Sequence, residues 1–316
     1  MFEANRVVVH TRAQFPILQA PMTWVARAPL VTAVSAAGAM GMLESSIVNL
    51  DTTKAEFEKI KAATDRPFGV NLLVRRLKTN TDMEARIVDW LVSSGVRFVT
   101  TSAGDPTRYI RRLKDAGTIV YHAVPTLETA LKAVDAGVDG LTVEGAESAG
   151  VRNPEQVHSF VLLQAVRERV SVPIVAAGGI VDGRGMAAAF ALGAEGIAMG
   201  TRFLTSVESP VHPAYKDAVV AASPAGTMLT PRPPRAIFRT LKTPRAIGYA
   251  AGELPPPGPR DLIENLYIGG DVDNTTGAAG ESAGLIRDVK PAADIVRATI
   301  DGFWKEIDRL SALRSA

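Results

Sequence analysis

Residues 173–204, PIVAAGGIVDGRGMAAAFALGAEGIAMGTRFL, carry the pattern that most limits what this chain can fold into. A short apolar run at 173–177 is long enough for one buried strand, and Gly178 and Gly179 follow where that strand should end. An alanine-rich helical pattern then runs from 185 to a closing Gly193, as helices often close. Residues 196–199 are a second apolar strand, ended by Gly200 and Thr201. The stretch therefore delivers glycines and backbone N–H groups at the C-terminal ends of two successive strands. Glycine has no Cβ, so a ligand can approach the backbone closely there. Helix N-termini and nests of N–H groups favour anions, phosphate above all. One glycine turn says only that the chain turns tightly. Two in successive βα units favour a phosphate site over tight turning alone.

The same unit recurs upstream. Strand patterns at 17–22, 41–44, 68–74, 98–102, 119–124 and 140–143 alternate with helical patterns at 26–37, 52–64, 83–93, 106–116, 126–136 and 154–169. Eight strands alternating with helices predict a parallel sheet, and that number predicts a closed α/β (β/α)8 TIM barrel. The alternative, a doubly wound open sheet, would usually show a Gly-x-Gly-x-x-Gly turn after the first strand, and none is present. In such a barrel the loops after strands seven and eight are a frequent phosphate site. After residue 204 the rhythm breaks. Residues 210–271 are rich in Pro, Gly and Arg with no clear strand, and 214–222 and 236–241 are expected as short helices. We read 210–281 as a small, mostly helical or irregular insertion that forms a lid over the mouth. The barrel then comprises 1–209 and 282–316, closed by helices at 282–287 and 291–313.

Composition narrows the function classes. With 316 residues and 47% hydrophobic content, a large core needs no covalent staples. The absence of cysteine excludes disulfides, thiolate metal sites and cysteine nucleophiles. A net charge of +2 makes no case for a nucleic-acid or membrane partner. Residues 1–12 have no signal-type apolar core, and no apolar run reaches the roughly 18 residues of a membrane helix. The expectation is a cytoplasmic protein acting on a small molecule, with homo-oligomerisation left open.

Five segments carry a resemblance: Gln19-Ala20-Pro21-Met22, the run from Pro67 to Asn71, the run from Gly145 to Gly150, Ala177 to Ile180 with Asp182 to Gly185, and Met199 to Phe203. In this order they resemble the nitronate monooxygenase family, formerly 2-nitropropane dioxygenases, which are FMN-dependent TIM barrels. The resemblance spans roughly the whole chain. The wider superfamily also holds NADH:quinone reductases and flavin-dependent enoyl-thioester reductases. The resemblance implies that the backbone of Ala20, Pro21 and Met22 lines the isoalloxazine and that Asn71 hydrogen-bonds the ring. It implies that the loop containing Glu144, Glu147, Ala149 and Gly150 passes close to the flavin, and that Gly178, Gly179, Met199, Gly200 and Thr201 hold the phosphate.

Two departures bear on the reaction. The family loop after strand six usually ends in a histidine that serves as catalytic base, and Val151 stands there. Related quinone reductases tend to have His-Lys after strand five, where this chain has His122-Ala123. A preformed nitronate needs no base, whereas a neutral nitroalkane does, so poor activity on neutral nitroalkanes is expected. His122 is the histidine best placed at the mouth, as a packed, hydrogen-bonded side chain or as a proton donor. His158 reads as a surface residue, and His10 and His212 have no supporting context. Glu147 is expected to hold its loop by accepting backbone hydrogen bonds. Arg75, Arg76, Lys78, Arg232, Arg235, Arg239, Lys242 and Arg245 form basic stretches that are either solvated or a site for the phosphates of NAD(P)H or of an acyl-CoA thioester.

The resulting expectation is an FMN-dependent oxidoreductase that oxidises alkyl nitronates with O2 or a related small electron-rich substrate. The alternative is an NAD(P)H-dependent quinone or enoyl-thioester reductase. Two readings of other classes stand beside these. One is a flavin-free phosphate-binding isomerase or aldolase, for which Glu44 and Glu144 are the strand-end carboxylates. The other is a non-catalytic FMN-binding protein.

Overall fold

The computed structural model describes residues 2–45, 50–74, 81–102, 104–233, 236–258 and 260–314. Arg75, Arg76, Lys78 and Arg235 lie outside the described residues. The strands in chain order are β1 (Ile17–Gln19), β2 (Gly41–Glu44), β3 (Phe68–Leu73), β4 (Phe98–Ser102), β5 (Ile119–Val124), β6 (Gly140–Glu144), β7 (Gly150–Arg152), β8 (Ile174–Ala177), β9 (Gly196–Met199), β10 (Thr227–Arg232) and β11 (Ala236–Leu241). Eight of them form one parallel sheet in the order β1-β9-β8-β6-β5-β4-β3-β2. Met40 N–H donates to Ile17 O at 2.8 Å and Gln19 N–H to Met40 O at 3.0 Å, joining the sheet's two ends into a barrel. The buried Gln19 side chain adds to the seam by accepting Met42 N–H at 3.1 Å.

Helices alternate with these strands: α1 (Arg6–Thr11), α2 (Ala28–Ala36), α3 (Leu50–Ala63), α4 (Thr81–Ser93), α5 (Thr107–Asp115), α6 (Leu127–Asp135), α7 (Ser159–Arg167), α8 (Gly183–Ala191), α9 (Thr201–Leu204), α10 (Pro213–Val220), α11 (Pro244–Ala250) and α12 (Ala292–Ala312). Their apolar faces pack on the outside of the barrel in one continuous core that includes Val31, Ile60, Leu113, Leu163, Met186 and Phe303. The barrel interior is a second packed layer built from Leu18, Met42, Phe98, Tyr121, Val175 and Ala198, as barrels of this size are filled rather than hollow. Gly140 at the start of β6 makes room there, since a Cβ would lie 2.3 Å from the Tyr121 ring. Val7 of α1 closes the floor, and His10 on the same helix meets the Tyr121 hydroxyl at 3.0 Å. Burial raises the Tyr121 phenol above its usual range.

Two expectations about local structure change. Residues 236–241 are strand β11, not a helix; they pair antiparallel with β10 along six residues each. Residues 150–152 are strand β7, which pairs antiparallel with β11, so the helix expected from 154 begins at Ser159, with His158 as its N-cap. Pairing across nearly ninety residues is invisible to a local pattern. His212, without context in the sequence, accepts Ala214 N–H at 3.2 Å and caps α10.

Candidate active site

The C-terminal ends of the barrel strands open into a cavity of about 1620 Å3. Of the residues expected to hold a cofactor, Ala20, Pro21, Met22, Asn71, Glu144, Ala149, Gly150, Gly178, Gly179, Gly200 and Thr201 line it, and so does His122. Met199 and Glu147 are not part of the lining. Met199 is buried and its carbonyl accepts Ala20 N–H at 3.0 Å. Glu147 accepts from Ser159 N–H at 3.1 Å and from its hydroxyl at 2.6 Å, so it caps α7 and pins the loop after β6.

Part of the cavity wall is a glycine-lined cradle. Gly178 and Gly179 both have positive φ, +103° and +74°, which bends the chain sharply after β8. A Cβ on Gly178 would lie 2.9 Å from Ser148 Oγ. A Cβ on Gly200 would point between Ala20 and Met22, into the cavity. The start of α8 is not the anion site, because Asp182 already caps it, accepting from Arg184 N–H at 3.0 Å and Gly185 N–H at 3.1 Å. The opposite wall comes from the end of the segment expected as a lid and the start of the expected closing helix, neither of which was expected to hold a cofactor. Gly280 N–H donates to Thr201 Oγ1 at 3.1 Å, Glu281 N–H donates to Glu147 O at 3.0 Å, and Thr276, Gly280 and Ser282 line the cavity. The glycine-rich run at 277–284 was the available signal.

Midway along, Asn71 is buried, and its Oδ1 accepts the Thr100 hydroxyl at 2.9 Å. Its Nδ2 lies 3.5 Å from Ser102 Oγ, at the cavity wall. His122 on β5 is also buried, with Nδ1 2.7 Å from Thr101 Oγ1 and the ring bonded to the Gly104 backbone. Burial pushes its pKa down to about 4, against the smaller opposing effects of the Gly104 bond and Asp105. The imidazole is therefore neutral at pH 7.

The mouth is covered by the segment after β9. β10 and β11 pair with β7 into a three-stranded sheet. Arg239 is buried, donates to Ala146 O at 3.1 Å and pairs with Glu281 at 3.0 Å, tying the hairpin to the loop after β6. Of the basic residues expected to meet an anionic partner, Arg232 lines the cavity with its guanidinium 5.3 Å from the Phe238 ring centre. Pro256, Pro257 and a π-helix at Asp261–Ile268 bring Leu262 and Tyr267 to the same wall; π-helices recur at functional sites. Trp24, in the turn after β1, has φ +64° and stacks on Tyr267 at 5.8 Å. A left-handed non-glycine residue costs about 1–3 kcal/mol, and this stacking helps hold it.

Two charged groups face each other at the end of β6. Glu144 lines the cavity with its side chain 32% exposed, and Arg152 Nη1 lies 2.7 Å from Glu144 Oε1 with the arginine side chain 3% exposed. Val151, between them in sequence with Arg152, is 43% exposed and lines the cavity nearer solvent. Register with β11, Phe238 opposite Val151 and Ile237 opposite Arg152, sets this alternation. Sequence reasoning missed Arg152 because its role depends on that register. Among the described residues no group of His, Asp or Glu is arranged to hold a metal ion.

A family model described as nitronate monooxygenase matches residues 6–301. A Mycobacterium tuberculosis protein named (3aS,4S,5R,7aS)-5-hydroxy-7a-methyl-1-oxo-octahydro-1H-indene-4-carboxyl-CoA dehydrogenase is 37% identical over 250 residues, 75% of this chain and 68% of that protein. A nitronate monooxygenase of Pseudomonas aeruginosa is 30% identical over 337 residues, 91% of this chain and 96% of that protein. Among solved structures, FabK from Thermotoga maritima superposes with a TM-score of 0.90 at 36% identity, covering 98% of this chain and 99% of that one.

Proposed function

Because the chain belongs to the nitronate monooxygenase family, a family of oxidoreductases, we propose that it is an FMN-dependent enzyme acting on an acyl thioester. The cavity carries this reading. At about 1620 Å3 it exceeds the roughly 300–1,000 Å3 of pockets for one drug-sized ligand, so a flavin leaves room for a second molecule beside it. The cradle fits a phosphate by its bare glycines, and it has no side chain that would fill it. The similarity to a carboxyl-CoA dehydrogenase supports a thioester as that second molecule.

In this reading Gly178, Gly179, Gly200, Thr201 and Gly280 hold the FMN phosphate, and Asn71 donates to the ring edge. Bound flavin supplies two-electron redox chemistry. Met22, Leu73 and Ala123 provide apolar wall, and Leu262 and Tyr267 close the mouth against water. His122, neutral and bonded to Thr101 and Gly104, packs the wall and orders the end of β5. Arg232, over Phe238 at the rim, meets the phosphates of a CoA thioester or of NAD(P)H.

The test is an anaerobic absorption spectrum of FMN-loaded protein, followed by NADH or NADPH and then crotonyl-CoA, with butyryl-CoA in a separate cuvette. Bleaching by NAD(P)H and recovery with crotonyl-CoA, or bleaching by butyryl-CoA, is the expected result. Failure to bind FMN sinks the reading and returns the site to a flavin-free phosphate barrel. A second reading, oxidation of a preformed nitronate, rests on Val151: with no histidine there, the substrate must arrive already deprotonated. Bleaching by propyl-2-nitronate with no response to either thioester would establish it instead.

A further inference from the structure

We propose that Glu144, held by Arg152, removes the proton from the carbon next to the substrate carbonyl. The inference rests on the acyl-thioester reading. Glu144 is the last residue of a barrel strand, at the height where barrel chemistry occurs. Its carboxylate has one side against a buried guanidinium at 2.7 Å and the other on the cavity. Arg152 Nη1 is itself buried, with no neighbour in hydrogen-bonding geometry. The cation is thus committed to this corner of the cavity by position rather than by a completed bond. A buried guanidinium at ion-pair distance from a carboxylate is left uncompensated if that carboxylate is removed.

Other candidates are less able. His122 has its ring engaged by Thr101 Oγ1 at 2.7 Å and by the Gly104 backbone, so neither bond leaves it turned to a substrate carbon. Asp105 turns to Thr107, accepting from its N–H at 2.9 Å. Glu44 ends β2, at the far end of the sheet order from β6 and beyond β3 and its Asn71. Val151 cannot take a proton.

The step balances without an oxidant. The Cα–H bond breaks, the proton bonds to a Glu144 oxygen, and the electron pair moves onto the thioester as an enolate. Before transfer the guanidinium compensates the carboxylate. Afterwards the carboxyl is neutral and the same guanidinium compensates the enolate. The charge in the buried corner is unchanged, so no new ion has to be desolvated, the main cost of buried charge. A carboxylate alone would lack that compensation.

Because the transfer is reversible, it can be read without redox turnover. FMN-loaded protein is incubated anaerobically with butyryl-CoA in D2O, and deuterium at the α-carbon is followed by mass spectrometry. The wild type should exchange, and Glu144→Gln should lower the rate at least about 100-fold. Glu144→Asp, which keeps the charge beside Arg152 but withdraws the oxygen, should also lose exchange while binding FMN normally. Arg152→Lys should retain more exchange than Arg152→Met, with FMN affinity equal in both. Wild-type exchange rates in both Glu144 variants overturn the proposal, as does loss of exchange in Glu44→Gln but not in Glu144→Gln. If butyryl-CoA perturbs the flavin spectrum but no exchange occurs, the base assignment fails and the thioester reading stands. If it does neither, both fail.

Discussion

Thr201 Oγ1 accepts the backbone N–H of Gly280 at 3.1 Å across seventy-nine residues of sequence. This bond ties the turn after β9 to the segment around Gly280, both of which line the cavity where we place the FMN phosphate. Thr201→Val keeps the shape and removes the acceptor, leaving a buried N–H that costs about 1–3 kcal/mol. The expected result is a lower midpoint of thermal unfolding together with FMN affinity weakened about tenfold or more. Titration of the apoprotein with FMN, followed by fluorescence quenching, measures the second effect. Unchanged affinity would remove Thr201 from the cradle.

Gly178 and Gly200 separate folding from binding. Gly178→Ala places a Cβ 2.9 Å from Ser148 Oγ on a backbone at φ +103°, so it should cost about 1–3 kcal/mol of stability and impair FMN binding as well. Gly200→Ala meets only Ala20 Cβ at 3.6 Å and Met22 Sδ at 3.8 Å, which are ordinary contacts. It should fold like the wild type yet bind FMN more weakly, because its methyl occupies the cradle. Urea unfolding and FMN titration on the two variants compare them directly.

His122 makes stability pH-dependent. Burial holds the folded imidazole's pKa at about 4 against about 6.5 in the unfolded chain, so between these values the unfolded state binds more protons. The contribution is complete above about pH 6.5, declines as pH falls through the window, and is lost below about pH 4, amounting to about 3 kcal/mol. His122→Asn should flatten this part of the urea-unfolding profile between pH 4 and 6.5. A profile equally steep in the variant assigns the loss to other groups.

Val151 gives a prediction about substrate protonation. Turnover of neutral 2-nitropropane should be far slower than that of its preformed nitronate, since no histidine lies at that position. Val151→His puts an imidazole on a cavity-lining position that is already 43% exposed, where it can titrate normally. It should raise the rate on the neutral substrate by about 100-fold and leave the nitronate rate within a few-fold. Oxygen consumption with each form of the substrate reads both.

The barrel was legible because each βα unit announces itself within some thirty residues, in an apolar run, a glycine and an amphipathic helix. That Gly178, Gly179, Gly200 and Thr201 lie at one cavity was legible for the same reason, since each sits in a local turn at a strand end. What escaped depends on contacts far apart in sequence. The strand at 236–241 was read as a short helix because nothing in AIFRTL reveals its partners, Thr227–Arg232 on one side and Gly150–Arg152 on the other. Helix α1 went unread because its Val7, Val8 and Val9 are poor helix formers. It forms because Asn5 caps it, accepting Val8 N–H at 3.1 Å, and because Val7 is buried under the barrel. The pairing of Glu144 with Arg152 was hidden for the reason that hid β7.

The three-stranded sheet over the mouth works as a ruler. It decides, by the register of β7 against β11, whether the side chain offered to Glu144 is that of Arg152 or of its neighbour. A slip of one residue against β11 would swap the two faces, withdrawing the cation and presenting valine. A one-residue bulge in the chain leading from β6 into β7 would therefore change the side chain that stands beside Glu144 while every barrel strand stays as it was.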